Sequence, residues 1–202
     1  MTHSGTAAGL QDEHDIAALM TGWIHRDVGD WNALAGLFHP GATISLSWFT
    51  GTSSEFIAGS ARMADTDLRT KHVVASPVIR FDPAGNRAVT ETNAIVVAEN
   101  TAMQLGAVAH TRFLDRVERR NGRWAINERS ALYDFSYFTF PAGPVPVASD
   151  QLSRYRPECA ALAYVLERSG FPVTETFVVR GSTTERDLKS AAAMWLDAAS
   201  AR

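Results

Sequence analysis

The chain has 202 residues, 46% of them hydrophobic, with a formal net charge of −3 and a single cysteine, which fits one globular domain or one domain with an appendage. The nearly balanced charge gives no basic face, and the cysteine and histidines have no zinc-like spacing, so we expect neither a nucleic-acid partner nor a metal. No apolar run approaches ~20 residues, and the polar start MTHSGTAAG lacks the parts of a signal peptide, so we expect no membrane segment and a cytoplasmic location.

The N-terminal part of the chain has helical periodicity. Apolar residues recur at helical spacing over about residues 12–38, with a break between two helices predicted at Gly29. The His-Pro-Gly sequence at residues 39–41 is expected to end the second helix. The segment ATISLSW then alternates as a strand, and SSEFIAGSARMAD predicts a short helix with Ser53 or Ser54 as its N-cap.

From Lys71 onward the pattern is that of β-structure. Four long strands are predicted, with the sequences HVVASPVIRF, RAVTETNAIVVAEN, MQLGAVAHTRFLDRVER and RWAINERSALYDFSYF. Turns are expected at residues 82–85 and at Asn121-Gly122. Helices followed by a meander of long strands indicate the α+β class, with a curved antiparallel sheet wrapped around the N-terminal helices.

The C-terminal part changes style again after Phe140. PAGPVPVASD is a proline-punctuated connection, and helices are predicted at about residues 150–169 and 184–198. A segment of ~60 residues is too small to be relied on as an independent domain. We therefore expect a main α+β domain over residues 1–140 and a C-terminal helical extension over residues 141–202, acting as a lid or a dimer contact.

Strand alternation indicates which side chains share a face of the sheet. Residues of equal parity point the same way, which places Arg129 and Tyr133 on one face of the last strand. If the curved sheet closes over the helices, its inner face forms a cone-shaped cavity. A cavity that receives Asp27 from a helix and His72 from a strand would hold an acid/base pair in mostly apolar surroundings.

Four motifs in this order carry a family resemblance. They are D-x-x-D-W at Asp27 to Trp31, Leu37-Phe38 before a strand, KHVVASPVI, and FLDRVERRNGRWAINER. Over about residues 10–138 the chain resembles the SnoaL-like branch of the nuclear-transport-factor-2-like superfamily. The resemblance implies a cone-shaped α+β barrel with a deep pocket, as in dehydratases, dehydrochlorinases, polyketide cyclases and ketosteroid isomerase relatives. Many such proteins lack catalytic activity, so the fold alone leaves the function open.

The resemblance also implies catalytic residues. Dehydrochlorinase-like members have an Asp at the end of the first helix and a His at the start of the first meander strand, which match Asp27 and His72. Their arginine on the last strand matches Arg129. Their pocket lysine, one helical turn before the Asp, has no counterpart, because Gly22 and Trp23 occupy that region. This departure argues against dehydrohalogenation.

The expected pocket lining is mostly aromatic. His110 is the candidate for the second histidine of scytalone dehydratase, with a packing or rim position as the alternative. Trp48 and Phe49 occupy the positions where that enzyme suggests hydroxyl groups, so the pocket is expected to be less polar. The predicted substrate-binding residues are Trp23, Trp48, Phe49, His110, Tyr133 and Tyr137.

Each candidate has a structural alternative. Asp27 or Asp30 could be the N-cap of the second helix. Arg129 could simply pair with Asp115 or Glu118 across the sheet. The aromatic candidates are pocket lining or core, which the sequence does not distinguish.

The acid/base pair supports a proton-transfer function. A histidine with a pKa of ~6.5 suits a general base near neutral pH, and a carboxylate on its other ring nitrogen would fix its tautomer. We predict a cofactor-independent lyase, namely a dehydratase of a bulky, hydrophobic, hydroxylated ring compound such as a steroid or aromatic catabolite. The alternatives are an isomerase, polyketide cyclase or formaldehyde-releasing lyase with the same dyad, and a non-catalytic ligand-binding protein. A homo-oligomer, dimer or trimer, is expected.

Overall fold

The computed structural model describes residues 7–173 and 177–198. Within them the chain forms an α+β fold, in which a curled, half-barrel sheet holds the N-terminal helices against its inner face and is followed by C-terminal helices. The predicted fold class is confirmed. Residues 1–6, which begin the polar start, lie outside the described residues.

The elements follow one another in three groups. The first group is α1 (Ala7–Thr21), α2 (Ile24–Val28), α3 (Trp31–Ala35), β1 (Phe38–Leu46), β2 (Phe49–Thr52) and α4 (Ser53–Ala64). The second is β3 (Leu68–Val74), β4 (Val78–Phe81), β5 (Arg87–Asn100), β6 (Leu105–Arg120) and β7 (Arg123–Thr139). The third is α5 (Ser149–Leu152), α6 (Ala160–Arg168), β8 (Val178–Val179) and α7 (Thr183–Asp197).

The break between α2 and α3 lies at the predicted glycine. Gly29 has a left-handed backbone with φ 74°, which a residue without Cβ adopts easily. Asp30 then caps α3, because its carboxylate accepts a hydrogen bond from the backbone N–H of Ala33 at 3.0 Å. The capping role that the sequence left open between two aspartates thus belongs to Asp30, which leaves Asp27 available for another contact.

The second predicted helix is shorter than expected. It ends at Ala35, and the prediction that it continues to Phe38 and stops at residues 39–41 is wrong. Phe38 instead opens β1 and pairs with Ile126 of β7. Pairing with the long last strand therefore prevails over the helical spacing of the apolar residues.

The N-cap of α4 also differs from the prediction. Thr52, not Ser53 or Ser54, caps the helix, because β2 keeps the backbone of Thr52 extended and Ser53 is already helical. The Thr52 hydroxyl accepts a hydrogen bond from the backbone N–H of Glu55, and the Glu55 carboxylate accepts one from the backbone N–H of Thr52 at 2.9 Å. This reciprocal capping box fixes the start of the helix.

The sheet has the strand order β2-β1-β7-β6-β5-β3, with β4 also on β5 and β8 also on β7. Its pairs are antiparallel, except that β1 and β8 run parallel to β7. The segment HVVASPVIRF is not one strand as predicted but two, β3 and β4, which both pair with β5. Pro77 lies in the gap between them, where a residue without an N–H donor does not weaken the sheet.

A bulge in β7 changes which side chains face inward. Tyr133 pairs with Thr111 and Phe135 pairs with His110, so Asp134 is the extra residue. Beyond this residue the parity of the strand is reversed. Tyr133 therefore points to the inner face, whereas Tyr137 points to the outer face.

The C-terminal elements pack on both faces of the sheet. The predicted helix over residues 150–169 is divided into α5 and α6, and α6 belongs to the inner core. The predicted last helix is confirmed as α7, which packs on the outer face against Val89, Leu114 and Leu132. No helix in the described ranges is long and apolar enough to cross a membrane.

Replacing Thr52 with alanine should destabilise the protein, because the substitution leaves the first N–H groups of α4 without their side-chain acceptor. We expect a loss of about 1 kcal/mol in the free energy of unfolding, measured by urea denaturation. Thr52→Ser keeps the hydroxyl and should behave like the wild type. Equal losses in the two variants would contradict a capping role.

Candidate functional site

The inner face of the sheet encloses a cavity of about 40 Å³. Its apolar wall consists of Trp23, Leu46, Trp48, Met63, Val96, Ala98, Phe113, Ala131, Leu162 and Leu166. Its polar lining consists of Arg26, Ser47, Thr70, His72, Thr111 and Tyr133. A space of this size holds a few water molecules, at about 10–15 Å³ for each.

Asp27 and His72 form a buried pair at this cavity. The Asp27 carboxylate is wholly buried and accepts two hydrogen bonds from His72, one from the backbone N–H at 2.7 Å and one from ring Nδ1 at 2.6 Å. Because Nδ1 is held by the carboxylate, Nε2 is the ring nitrogen left for a substrate. The pair joins α2 to β3 and fixes both the position and the tautomer of the imidazole.

The charges of this pair are set by their surroundings. Burial lowers the pKa of His72, and the nearby positive charges of Arg26 and Arg129 lower it further, against the opposing effect of Asp27. Burial raises the pKa of Asp27, but the hydrogen bonds and charge of His72 and the charge of Arg26 outweigh it, so the pKa lies below its usual value. At neutral pH the site therefore holds a carboxylate beside a neutral imidazole, which is the form required of a general base.

Arg26 lies next to this pair and was not predicted from the sequence. Its side chain lines the cavity and is only 6% exposed. Nη1 donates to Thr70 Oγ1 at 2.5 Å, and Nη2 donates to the Met63 sulfur at 3.1 Å. Burial lowers the pKa of Arg26 to about 10, so the guanidinium remains charged at neutral pH.

A pair of hydroxyl groups forms another part of the polar lining of the cavity. The Tyr133 hydroxyl donates to Ser47 Oγ at 3.0 Å and accepts from the Ser47 backbone N–H at 3.0 Å. Burial raises the pKa of Tyr133, so its hydroxyl stays protonated. The cavity lining is therefore more polar than the sequence analysis predicted. That prediction included Trp48 but not Ser47, the residue directly before it.

The predicted aromatic residues Trp23, Trp48 and Phe49 divide into two groups. Trp23 and Trp48 line the cavity, and the indole of Trp23 stacks on Phe56 at 5.4 Å and meets His72 edge-on at 5.9 Å. Phe49 instead packs against Trp48 and Phe56, behind the cavity wall. It supports the lining and does not belong to it.

Arg129 lies beside the cavity but outside its lining. Its guanidinium is fully buried and donates two hydrogen bonds to the Asp115 carboxylate, at 2.7 and 2.9 Å. It also lies 4.6 Å from the ring centroid of Trp23 and 4.4 Å from that of Phe113. The structure thus has the Asp115 pairing that the sequence left as the alternative to a catalytic role.

His110 and Tyr137 are not brought to the cavity. The His110 ring stacks on Phe135 at 4.2 Å and lies 6.3 Å from Tyr137, on the outer face of the sheet. Their predicted place in the pocket is corrected for two reasons. His110 has outward parity on β6, next to the inward-pointing Thr111, and the bulge at Asp134 reverses the parity of Tyr137.

Two lining residues that were not predicted come from the C-terminal part. Leu162 and Leu166 of α6 form a wall of the cavity. In the sequence these two residues are four positions apart and so share one face of a helix. The sequence did not indicate which part of the protein that face would cover. Within the described ranges, no group of three or more His, Cys, Asp or Glu side chains converges as metal ligands would.

Comparison with known proteins agrees with this fold. A family model described as SnoaL-like domain matches residues 8–130. The Pea pathogenicity protein 2 of Fusarium vanettenii is 28% identical over 74% of this chain, which spans 66% of that protein, just under two thirds.

Two crystal structures share the fold. One is a putative scytalone dehydratase from Novosphingobium aromaticivorans, with a TM-score of 0.55, 18% identity, and coverage of 69% of this chain and 92% of that one. The other is a hexachlorocyclohexane dehydrochlorinase, with a TM-score of 0.57, 17% identity, and coverage of 69% and 95%. At these identities the likeness concerns the fold alone.

Removing the charge of Arg129 should destabilise the fold strongly. Arg129→Met leaves Asp115 as an unpaired buried carboxylate, and we expect a loss of about 3–5 kcal/mol in the free energy of unfolding. The double variant Arg129→Met with Asp115→Leu removes both charges and should recover most of that loss. Denaturant unfolding of both variants tests this, and a double variant no more stable than the single one would contradict it.

The imidazole of His72 should titrate below its ordinary pKa of about 6.5. We expect NMR to find the neutral Nδ1–H form at pH 7, with the resonance assigned by its absence in His72→Gln. Because the unfolded chain then binds its proton first, the contribution to stability is present above pH ~6.5 and is lost as the pH falls through the folded pKa. A midpoint above 6.5 would refute this assignment of charges.

Proposed function

Because the chain belongs to the SnoaL-like domain family, we propose that it is a cofactor-independent lyase, a dehydratase of a bulky, hydrophobic, hydroxylated ring compound. One observation carries the proposal. Asp27 holds both the backbone and ring Nδ1 of His72, while the same imidazole lines a mostly apolar cavity. Dehydration by proton transfer requires this combination of a neutral, oriented base and an enclosed site.

The proposed reaction is a β-elimination. Nε2 of His72 removes a proton from a ring carbon, and the electron pair of that C–H bond forms the new double bond. The hydroxyl on the adjacent carbon leaves and takes the proton back from Nε2, which produces water and restores the neutral imidazole. Asp27 stabilises the imidazolium formed in between. Positioned acid/base catalysis of this kind accelerates a reaction by about 10²–10⁴-fold.

The wall of the cavity favours a flat, apolar substrate with a few polar groups. Trp23, Trp48 and Phe113 supply aromatic surface, and the hydroxyls of Ser47 and Tyr133 form part of the polar lining. A steroid or an aromatic catabolite has this character. The alternative of an isomerase, cyclase or formaldehyde-releasing lyase uses the same dyad and differs in the bond that breaks.

We propose that the C-terminal extension serves as a lid. The cavity of about 40 Å³ is too small for a ring compound, and Leu162 and Leu166 of α6 close part of it. Movement of α6 would enlarge the site without changing the hydrogen bonds between Asp27 and His72. The homo-oligomer stays a prediction, for which Val73 and Phe135 on the outer face provide exposed apolar surface.

Loss of the dyad should abolish turnover. We expect His72→Ala and Asp27→Asn each to lower kcat/KM by about 10²–10⁴-fold on any hydroxysteroid or hydroxylated aromatic compound that the wild type dehydrates. Turnover is followed by the absorbance of the conjugated product, and folding by circular dichroism.

His110→Ala is the matched control, because this histidine lies on the outer face and should be dispensable for turnover.

In the wild type, kcat/KM should fall as the pH decreases below 6.5 through the depressed pKa of His72. Ligand binding by all variants without turnover by any of them would indicate a binding protein instead of an enzyme.

A further inference from the structure

The buried guanidinium of Arg26 forms only a loose ion pair with a carboxylate. Arg26 precedes Asp27 on α2, and its nearest approach to that carboxylate is 3.7 Å, from Nη1 to Oδ1. Both oxygens of Asp27 already accept hydrogen bonds from His72. The two guanidinium donors with assigned partners meet neutral groups, the Thr70 hydroxyl and the Met63 thioether. A thioether sulfur is a weak acceptor for a charged donor.

Arg129 shows how the same chain pairs a buried arginine directly with a carboxylate, although its Nη1 has no hydrogen-bond partner among the described residues. Its guanidinium has two direct bonds to Asp115, at 2.7 and 2.9 Å, in the fork geometry that stabilises such pairs. Arg26 is similarly buried but has no such partner at hydrogen-bonding distance among the described contacts. Unlike Arg129, it lines the cavity. The pairing it lacks is therefore one that a molecule in the cavity could supply.

A second hydrogen-bond donor in the same wall has no acceptor among the described residues. The indole N–H of Trp23 is buried and has no hydrogen-bond partner among the described residues, and the ring lines the cavity. Leaving such a donor unpaired is costly unless a ligand satisfies it. The wall beside the dyad therefore has more donors than acceptors.

We propose that Arg26 is a substrate-binding residue that selects ring compounds carrying a carboxylate, an inference that rests on the proposed function for the fate of the ligand. A carboxylate has two oxygens that match the guanidinium fork and a charge that compensates the buried cation. A neutral hydroxylated ring supplies neither.

The spacing along β3 relates this contact to the base. Thr70, which holds the Arg26 guanidinium, and His72 point to the same face of the strand, about 7 Å apart at two residues' distance. A carboxylate bound by Arg26 would therefore lie about one ring width from the carbon that loses its proton.

The test uses calorimetric titration with 2-naphthoate and with 2-naphthamide, its neutral counterpart of the same shape. The wild type should bind the carboxylate about tenfold or more tightly than the amide. Arg26→Met should remove this preference. Arg26→Lys, which keeps the charge without the fork, should retain part of it. The comparison of the two probes on the wild type needs no variant, so a folding defect in Arg26→Met does not affect it.

Equal affinity of the wild type for the two probes, or no binding of the carboxylate, overturns the proposal. A preference that survives in Arg26→Met places the anion elsewhere and also overturns it. Failure of the proposed function is recognised separately: carboxylate preference without turnover of any hydroxylated ring acid removes the lyase and leaves the role of Arg26. Turnover of neutral rings without a preference for the carboxylate supports the lyase and overturns the role proposed for Arg26.

Discussion

The link between Asp27 and His72 is the contact on which the geometry of the site depends. One carboxylate accepts from the backbone and from the ring of the same histidine, so it fixes where β3 lies relative to α2 as well as how the imidazole is turned. This contact is possible because Gly29 turns the chain and Asp30 takes over the capping of α3. A short sequence thus separates the aspartate that caps a helix from the aspartate that holds His72 by three residues.

A buried ion pair behind the cavity wall supports the contact between Asp27 and His72. Arg129 and Asp115 join β7 to β6, and the guanidinium lies between the rings of Trp23 and Phe113. Trp23 in turn meets the edge of His72. The cation therefore influences the base in two ways without entering the cavity. It positions the indole that packs against the imidazole, and its charge disfavours a proton on that ring.

The sequence predicts those parts of the site that follow from local pattern and motif order. The α+β class, the break at Gly29 and the meeting of Asp27 with His72 could all be expected from it. Features that arise from pairing across the sheet could not. The bulge at Asp134 inserts one residue, and this reverses the face of every later side chain, including that of Tyr137. The burial of Arg26 likewise depends on contacts with distant residues, so its local sequence resembles an ordinary charged helix surface.

The small size of the cavity has a kinetic consequence. If α6 is the proposed lid, the closed cavity of about 40 Å³ is too small to admit a ring compound to His72. Association would then wait until α6 moves, and such binding is slower than the usual encounter between a protein and a small molecule. At high ligand concentration the observed rate of capture therefore levels off at the rate of opening, which is a property of the packing of Leu162 and Leu166 and not of the ligand's concentration.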